Sequence, residues 1–416
     1  MKKKLQIAVV GAGISGLSFA KLATKKGFTV KVFEASSHVG GIARVKDLDN
    51  GVPYHMIGGH CFNSKHQDVL DFVFNDVLPL EKWHKINRKA SIYFKNTLVD
   101  YPIEYSMKQI FEIDENLAIN MIKDFINANG VASDNLQDWF INNFGNTLAE
   151  EYFIPYNKKI WKINPKEMSP DWVVDKLPMP NKNEFIKGLI SSGADSMPHA
   201  SFYYPKSGSQ NKFIAALAKD IDIKFDFKIE HIIRTSTGKF SIDGIDYDHL
   251  VITAPLNEIH NLIDIKDNTV TDSISKLKYN KVTTVIWKSK PTEDTWTYIP
   301  STDIPFHRLI HIGNFIGSEQ NYSISEAVGE VTYQDMIKSG EKIDQLIEPL
   351  DYNVSDHAYV VFDKNTNTHR NTILNHFENT NIHPLGRFGE WEYYNMDICI
   401  KKSIDLVNKI VAGNTH

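Results

Sequence analysis

Cysteine is scarce in this chain of 416 residues, which contains only Cys61 and Cys399. Two thiols cannot build a disulfide framework, and they supply too few ligands for a cysteine-based zinc site. So few cysteines are typical of a protein that works in a reducing compartment. We therefore expect the protein to lie in the cytoplasm.

Long apolar runs and blocks of like charge are also missing. No segment approaches the roughly 18 apolar residues that a membrane-spanning helix needs, so we expect no span. Lys and Arg number 46 against 51 Asp and Glu, and no large basic block occurs, so nucleic acid is not an expected partner. A hydrophobic fraction of 42% is ordinary for a globular protein, and the length indicates two or three domains.

A glycine-rich turn stands between a strand pattern and a helix pattern near the start of the chain. Residues 5–10 form a short apolar run typical of a buried strand, and Gly11-Ala-Gly-Ile-Ser-Gly16 follows it directly. A helical pattern continues to about Lys26, and a second strand pattern over 28–33 ends at Glu34. This order predicts a βαβ unit that binds a dinucleotide.

Each glycine of the turn has a physical role in such a unit. Gly11 allows the tight turn, Gly13 lets the backbone approach the pyrophosphate, and Gly16 lets the helix pack closely on the strand. The first helical residues, Ile14 and Ser15, present unpaired N–H groups and the positive end of the helix dipole to the phosphates.

The segments that follow favour FAD over NAD as the tightly held cofactor. Glu34 can accept hydrogen bonds from ribose hydroxyls and would repel a 2′-phosphate. The pair Gly40-Gly41 suits a backbone that passes close to a longer ligand, and Gly58-Gly59-His60 lies where the chain would return near the flavin ring. Either glycine pair alone is equally typical of a simple turn. With the buried strand pattern over 250–254, these segments resemble the glutathione-reductase-like flavoprotein superfamily, which implies an α/β fold with a Rossmann-like FAD-binding domain.

The periodicity changes twice along the rest of the chain. From about 106 to 200 it is mostly helical, and from about 280 to 362 it is mostly β. In the second stretch we predict strands at 282–287, 295–299, 309–312, 330–332 and 359–362. We therefore predict a discontinuous FAD-binding domain (1–90, 205–265 and 380–416), a mostly helical substrate domain (100–204) and an antiparallel β-sheet domain (270–375).

Motifs along the whole chain resemble the UDP-galactopyranose mutase family, and its eukaryotic-type branch more than the shorter bacterial one. They are Gly58-Gly-His60, Val99-Asp-Tyr101-Pro-Ile-Glu104, Pro155-Tyr156-Asn157-Lys-Lys-Ile-Trp161, Met168-Ser-Pro-Asp-Trp172, Trp296-Thr-Tyr298, Pro305-Phe-His-Arg308, Asp356-His-Ala-Tyr359 and Gly386-Arg387-Phe-Gly-Glu-Trp-Glu-Tyr393. Their order and rough spacing match the family along nearly the whole chain. The resemblance implies an isomerase of cell-surface polysaccharide biosynthesis that interconverts pyranose and furanose forms of UDP-galactose or a close relative.

The resemblance also implies roles for individual residues. The implied catalytic residues are His60 beside the flavin and Arg308 and Arg387 on the diphosphate. Further cofactor contacts are implied for Gly386, Asn395 and Asp397. The implied substrate-binding residues are Tyr101, Glu104, Tyr156, Asn157, Trp161, Lys176, Trp296, Tyr298, Arg308, Tyr359, Arg387 and Tyr393. The chemistry agrees, because arginine offers a diphosphate a planar fork and an aromatic ring can cover a uracil face.

Several of these residues also have a plain structural interpretation. Arg308, in a β-rich stretch, is by itself more typical of an ion-paired or solvated arginine. Trp296 and Tyr298 alternate on one strand face, which is equally typical of core packing. We expect no metal site, because the remaining histidines lack ligand partners at usable spacing, and we expect structural roles for His55, His307 and His311.

Two positions depart from the family pattern. A family arginine of the helical domain falls at Lys176, and lysine keeps the charge but loses the bidentate fork. The family's uridine-side glutamine falls at Glu104, and a carboxylate cannot donate a hydrogen bond to a uracil carbonyl. These changes leave the sugar and the base open.

By resemblance, the flavin acts in its reduced form. Its N5 would attack the anomeric carbon, UDP would leave and later return, and the sugar would reclose with the other ring size. The reductant is left open, with NAD(P)H as one candidate, and the resemblance implies a homo-oligomer. Two other function classes are kept: an oxidase or desaturase of the amine-oxidase or protoporphyrinogen-oxidase type, which predicts an apolar cavity without an arginine pair, and a sugar-nucleotide-binding flavoprotein without turnover.

Overall fold

A five-stranded parallel sheet forms around the first strand of the chain. The computed structural model describes residues 4–173, 182–190, 201–206, 208–317 and 321–414. Across the sheet, the strands lie in the order Ile382–Pro384, His249–Ile252, Gln6–Val10, Thr29–Phe33 and Ile223–Lys224. All neighbouring strands are parallel, and the helices Ile14–Lys25 and Met396–Gly413 pack together beside them. The predicted Rossmann-like α/β unit is confirmed.

The central strand shows why this segment reads as a continuous apolar run. Ile7, Ala8 and Val9 have no exposed surface, because strands pair on both edges and other elements cover both faces. A strand with one solvated face would instead alternate apolar and polar residues.

A seven-stranded sheet forms the second layer of the molecule. Its strands lie in the order Leu346–Val361, Lys278–Ser289, Tyr322–Val328, Phe306–Ile310, Trp296–Tyr298, Ala90–Phe94 and Thr97–Asp100. Neighbouring strands are antiparallel except Trp296–Tyr298 and Ala90–Phe94, which pair in parallel. The separate, mainly antiparallel sheet is thus confirmed, with one parallel pair as a correction. Its last two strands come from the hairpin 90–100, far before residue 270.

Helices fill much of the segment between that hairpin and residue 190. They are Met107–Ile113, Glu115–Asn127, Leu136–Phe144, Asn146–Leu148, Ile154–Trp161 and Lys182–Ile190, with a π-helical turn at Ala149–Phe153. Asp114 accepts from the Leu117 N–H and Asn135 from the Asp138 N–H, so side-chain caps set where two of these helices begin.

The remaining helices and strands connect the parallel sheet and the seven-stranded sheet. The other helices are Gln67–Asp71 with its π-helical continuation Phe72–Val77, Gln210–Ala218, Ile259–Leu262, Asn268–Ser275, Gly313–Ile316, Tyr333–Gly340, Thr366–His376 and Gly386–Gly389. Strands Ile233–Arg234, Phe240–Ile242 and Ile245–Tyr247 form a small sheet, while Val45–Asp47 pairs with Pro53–His55 and Trp83–Asn87 with Ser201–Pro205. Within the described ranges, none of the helices has the length and apolar character needed to cross a bilayer.

Candidate functional site

A deep cleft lies between the parallel sheet and the seven-stranded sheet and encloses about 450 Å³. One wall is formed by residues that follow the carboxyl ends of parallel strands, among them Gly11, Glu34, Thr253 and Leu385. Open parallel sheets bind their ligands at this edge. Of the predicted cofactor residues, those that line the cleft are Gly11, Gly13, Ile14, Ser15, Glu34, Gly41, Gly58, Gly59, His60, Asn395 and Asp397.

The glycine-rich turn is closed by backbone contacts that leave no room for a side chain at Gly16. Gly11 has φ +98°, and its N–H donates to the Phe33 carbonyl at 2.8 Å. A Cβ on Gly16 would lie 2.1 Å from the Gly11 carbonyl oxygen. Gly16 therefore does not line the cleft; it lets the helix approach the turn.

Two glycine segments meet at the floor of the cleft. A Cβ on Gly41 would lie 3.2 Å from the Gly13 Cα, and the Gly40 N–H donates to the Ala12 carbonyl at 2.8 Å. Gly13 precedes helix Ile14–Lys25 without a side-chain cap, so the first N–H groups of the helix face the cleft without a side-chain partner. Backbone at the start of a helix is a good binding site for phosphate.

Glu34 braces this floor. Its Oε2 accepts from the Ala12 N–H at 2.7 Å, and its Oε1 accepts from the N–H and hydroxyl of Ser36 at 2.9 Å. The carboxylate thereby holds the end of the second strand against the glycine-rich turn.

Gly386 stands just outside the cleft and supports it from behind. It has φ +86°, and a Cβ there would lie 2.1 Å from the Ser15 hydroxyl oxygen. Asn395 precedes the helix Met396–Gly413, so this residue and Asp397 reach the cleft from the start of a second helix.

A buried ion-pair cluster closes the opposite wall. Glu326 has no exposed surface, and its Oε1 accepts from the Arg308 Nε at 3.0 Å and from the Tyr359 hydroxyl at 2.8 Å. Its Oε2 accepts from the N–H of Gly58, and its Oε1 lies 3.3 Å from the Nε2 of His307. Burial acts to raise the pKa of Glu326, but Arg308, His307 and Tyr359 together outweigh burial, and the pKa is lowered. The carboxylate therefore joins the glycine loop at 58–60 to Arg308.

Arg387 enters the same cleft and has no carboxylate partner among the described residues. Its Nη2 donates to the Ala358 carbonyl at 2.9 Å, and its guanidinium carbon lies 4.4 Å from the Tyr393 ring centroid and 5.4 Å from that of Tyr359. No carboxylate of the described residues lies within ion-pair distance of it. Arg308 is thus neutralised by a buried carboxylate, whereas Arg387 keeps its charge for a ligand.

His60 offers a neutral imidazole to the cleft. Its Nε2 is buried and has no hydrogen-bond partner among the described residues, and its backbone N–H donates to the Nδ1 of His55 at 3.2 Å. Burial, reinforced by the charge of Arg387, lowers the pKa of His60 to about 4. A neutral ring can accept a hydrogen bond or pack on a cofactor without repelling the arginines.

The other histidines have protein partners. His55 bonds the Tyr204 hydroxyl at 2.8 Å, and His311 lies between the hydroxyls of Thr297 and Ser323 at 2.9 and 2.8 Å. His307 contacts Glu326 and lines a second pocket, and its structural role stays a prediction. Over the described ranges, no three side chains of the metal-ligating types come together.

That second pocket, of about 170 Å³, adjoins the cleft. Tyr298, Arg308, Tyr359 and Tyr393 line both cavities and so form the wall between them. The predicted substrate residues that line only the second pocket are Tyr101, Glu104, Tyr156, Asn157 and Trp161. Trp296 lines only the cleft, and Lys176 lies outside the described residues. The structure thus distributes the predicted substrate residues over two connected cavities.

Sequence reasoning missed two charged residues of the site. Arg88 lines the cleft, donates to the Tyr298 hydroxyl and lies 5.3 Å from the ring centroids of Tyr101 and Trp296. Its only signal in the sequence is a charge just before the hairpin 90–100. Glu326 lies in the middle of the fully buried strand Tyr322–Val328, which the sequence analysis did not predict, and the mixed polar and apolar sequence of that strand gave no clear signal for a buried carboxylate.

Comparison with known proteins agrees with this architecture. A family model described as an NAD(P)-binding Rossmann-like domain matches residues 9–75, which include the glycine-rich turn. dTDP-fucopyranose mutase of Escherichia coli is 21% identical over 98% of this chain and 99% of its own length. UDP-galactopyranose mutase of Mycoplasma genitalium is 21% identical over 98% of this chain and 95% of its own.

Solved structures show the same fold. Reduced UDP-galactopyranose mutase superposes with a TM-score of 0.87 at 20% identity, covering 100% of this chain and 95% of that one. Cyclohexylamine oxidase from Brevibacterium oxydans superposes with a TM-score of 0.68 at 13% identity, covering 98% and 100%. The resemblance to pyranose mutases predicted from the motifs is confirmed along the length of the chain; the branch within that family stays a prediction.

Proposed function

We propose that the protein is an FAD-dependent sugar-nucleotide mutase, an isomerase that interconverts pyranose and furanose forms of a UDP-sugar or a close relative. The observation that carries the proposal is the placement of Arg308 and Arg387, which both contact Tyr359 where the dinucleotide cleft adjoins the aromatic pocket. Two relatives that match nearly the whole chain are named for UDP-galactopyranose and dTDP-fucopyranose, which are both sugar nucleotides.

The residues of the cleft fit FAD. The Gly13–Gly41 floor leaves backbone alone beside the start of a helix, where a pyrophosphate can approach, and Glu34 stands at the end of the second strand for a ribose. The Rossmann-like family model and the mutase relatives support a flavin here. Bound and reduced, it would supply a nucleophilic N5 for the anomeric carbon of the sugar.

The chain's own task is then to hold the diphosphate leaving group. Arg387 offers an unneutralised, planar donor set, so it would carry most of the negative charge that develops on the diphosphate. Arg308 and Tyr359 are fixed in position by Glu326 and would add directional hydrogen bonds. The wall shared by the two cavities would place the diphosphate between the flavin and the nucleoside.

His60, the remaining catalytic candidate, would act by holding the cofactor in place. Because its pKa is about 4, the ring is neutral at pH 7 and lacks the second ring proton that a general acid would give up. We propose that it braces the cofactor beside Gly58 and Gly59 rather than serving as an acid.

The charged lining favours a mutase over an oxidase of the amine-oxidase or protoporphyrinogen-oxidase type. An oxidase that takes an apolar ring or amine predicts an apolar cavity, whereas this cleft contains Arg88, Arg308 and Arg387. The charge that Arg387 keeps unneutralised would repel a protonated amine and attract a diphosphate.

The test is turnover by the purified flavin-loaded protein with and without dithionite. UDP-galactopyranose, UDP-galactofuranose and dTDP-fucopyranose are incubated separately, and the products are separated by chromatography. Interconversion that appears only under reduction supports the mutase. Net oxidation of an amine with oxygen uptake, without interconversion, would overturn it. UDP binding with no turnover of the three sugars would favour the non-catalytic binding protein.

A further inference from the structure

The loop that carries His60 is held by hydrogen bonds to two buried side chains. The Gly58 N–H donates to the Glu326 carboxylate, and the His60 N–H donates to the Nδ1 of His55 at 3.2 Å. Neither His55 nor Glu326 has any exposed surface. The carboxylate also pairs with Arg308, so it has a second task in the site, whereas His55 contacts the site only through this loop.

The hydrogen bonds of His55 determine which of its ring nitrogens carries the proton. A backbone N–H can only donate, so the Nδ1 that accepts from His60 has no proton. The ring is therefore neutral, and burial acts in the same direction by holding the pKa of His55 well below its usual range. The single ring proton lies on Nε2, which is 2.8 Å from the Tyr204 hydroxyl oxygen and donates to it. Tyr204 thus selects the tautomer that can accept from His60.

This chain of polar groups lies in an apolar part of the core. Tyr204 has no exposed surface and packs on Phe315 with ring centroids 5.6 Å apart, in a cluster that also contains Phe202. Phenylalanine and leucine could fill the same space without burying polar atoms, and a buried polar group costs free energy unless it is hydrogen-bonded. The chain runs from Tyr204 through His55 and ends at the backbone of His60, so its benefit lies at that loop.

The strand that carries Tyr204 anchors the loop a second time. Phe62 exchanges two backbone hydrogen bonds, of 3.0 and 2.7 Å, with Tyr203 in strand Ser201–Pro205. That strand is paired along its whole length with another strand. The loop is therefore fixed to one strand at two points, through the backbone at Phe62 and through two side chains at His60.

We propose that His55 is a positioning residue, held in one tautomer by Tyr204, that orients His60 toward the cofactor. The inference rests on the proposed function, because it takes the cleft beside His60 to hold FAD. Neither His55 nor Tyr204 is among the described residues that line the cleft, so their effect on a flavin passes through the loop. His60 does line it, with an Nε2 that has no hydrogen-bond partner in the described part of the chain, so a rotation of the loop changes what the cofactor meets.

The main test is a cycle of FAD dissociation constants measured on the full chain by fluorescence titration. Tyr204→Phe removes the acceptor of the Nε2 proton, so that proton can move to Nδ1, where it opposes the His60 N–H. We expect FAD to bind about tenfold more weakly, as for the loss of one well-placed hydrogen bond, and the visible absorption of the bound flavin to shift. In the His60→Ala background, Tyr204→Phe should have no further effect on either quantity.

A conservative variant separates positioning from packing. His55→Asn places an amide oxygen where Nδ1 lies, and that oxygen accepts whether or not the Tyr204 hydroxyl is present. It should bind FAD nearly as wild type does, and adding Tyr204→Phe to it should weaken binding no further. His55→Leu removes the acceptor and should match Tyr204→Phe. Tyr352→Phe is the control, because it loses a hydroxyl that donates to the Val331 carbonyl outside the cleft.

The tautomer itself can be observed without a cofactor. In protein with isotope-labelled histidine nitrogens, NMR should show an unprotonated Nδ1 and a protonated Nε2 for His55, and His55→Asn assigns the two signals by their absence. In Tyr204→Phe the two nitrogens should exchange protonation.

Four results would overturn the proposal. They are a protonated Nδ1 of His55 in wild type, unchanged FAD affinity in Tyr204→Phe, an effect of Tyr204→Phe that persists in full in His60→Ala, and weakened binding in His55→Asn equal to that in His55→Leu. The last two would show that His55 acts through packing alone. A wild type that binds FAD but converts no sugar would overturn the mutase only, because none of these readouts uses turnover.

Discussion

The guanidinium of Arg387 contacts a backbone carbonyl and aromatic rings. These contacts fix the orientation of the side chain but do not neutralise its charge. Arg387→Ala should therefore lower kcat/KM for the sugar nucleotide by about 2–4 kcal/mol of transition-state stabilisation, while the flavin stays bound. The measurement is kcat/KM under dithionite together with the visible absorbance of the bound flavin. Arg234→Ala, at an exposed strand position, is the control. Loss of flavin along with activity would show that Arg387 is structural.

Loss of the Glu326 carboxylate should lower the free energy of unfolding of the protein. Glu326→Gln leaves Arg308 buried without its counter-charge, which should cost about 3–5 kcal/mol of unfolding free energy at pH 7. The folded pKa of Glu326 is lowered, so its stabilisation is present above the unfolded value of 4.5 and is lost as the pH falls below it. The gap to wild type should shrink at pH 4 in urea unfolding, with the exposed Glu330→Gln as control. An equal gap at both pH values would exclude the charge as the source.

The sequence is least informative about the charge partners of buried residues such as these. The motifs located Arg308 and Arg387, but the periodicity could not show that only one of them has a carboxylate partner. Glu326 and Arg308 are paired because two neighbouring strands place them side by side. Such pairing depends on the register between the two strands, which is irregular between Phe306 and Arg308 and is fixed only when the strands meet in the sheet.

At the scale of elements, Gly13 and Gly16 of the glycine-rich turn have different roles. A Cβ on Gly13 would meet only the Gly41 Cα at 3.9 Å, whereas one on Gly16 would lie 2.1 Å from the Gly11 oxygen. Gly13→Ala should therefore fold with a melting temperature near that of wild type and lose affinity for FAD, because its methyl would stand in the cleft. Gly16→Ala should lower stability even without cofactor. Apoprotein melting and flavin titration check both, and full FAD affinity in Gly13→Ala would contradict the proposed pyrophosphate position.

Elements with strong apolar periodicity were predicted well, and those without it were missed. The hairpin 90–100 and the final helix are present as expected, as Ala90–Phe94 with Thr97–Asp100 and as Met396–Gly413. The strand predicted at 330–332 is wrong, since Thr332 caps the helix Tyr333–Gly340 by accepting from the Asp335 N–H. A short β-branched run ending at a helix cap looks like a strand until the cap is formed.

The helix Thr366–His376 shows the same limit. Its sequence is polar and its buried residues are few, with Ile373 as the main one. It forms because tertiary packing holds that one side chain in the core beside helix Asn268–Ser275. Helical stability in proteins comes chiefly from such packing.

At the scale of the whole molecule, buried neutral histidines should make the fold acid-labile. Burial lowers the pKa of His60, His307, His311 and His383 to about 4 each. A histidine with a lowered folded pKa favours unfolding as the pH falls from about 6.5 toward 4, at a cost on the order of 3 kcal/mol when fully shifted. Urea unfolding should therefore show falling stability between pH 6.5 and 4.5. His311→Asn should make that dependence shallower, and an unchanged slope would show that this histidine titrates freely.

The sequence by itself determined the fold class, the dinucleotide turn and the resemblance to pyranose mutases, because these depend on spacing within a few residues or on motif order. Only the tertiary structure decided the charge states of the site. Burial in an aromatic pocket raises the pKa of Glu104 to about 8, Arg308 beside Glu326 helps to lower the pKa of that carboxyl, and Arg88 enters the cleft because its hairpin joins a distant sheet. Desolvation and ion pairing act through space, so residues far apart in the chain determine the protonation on which the proposed chemistry depends.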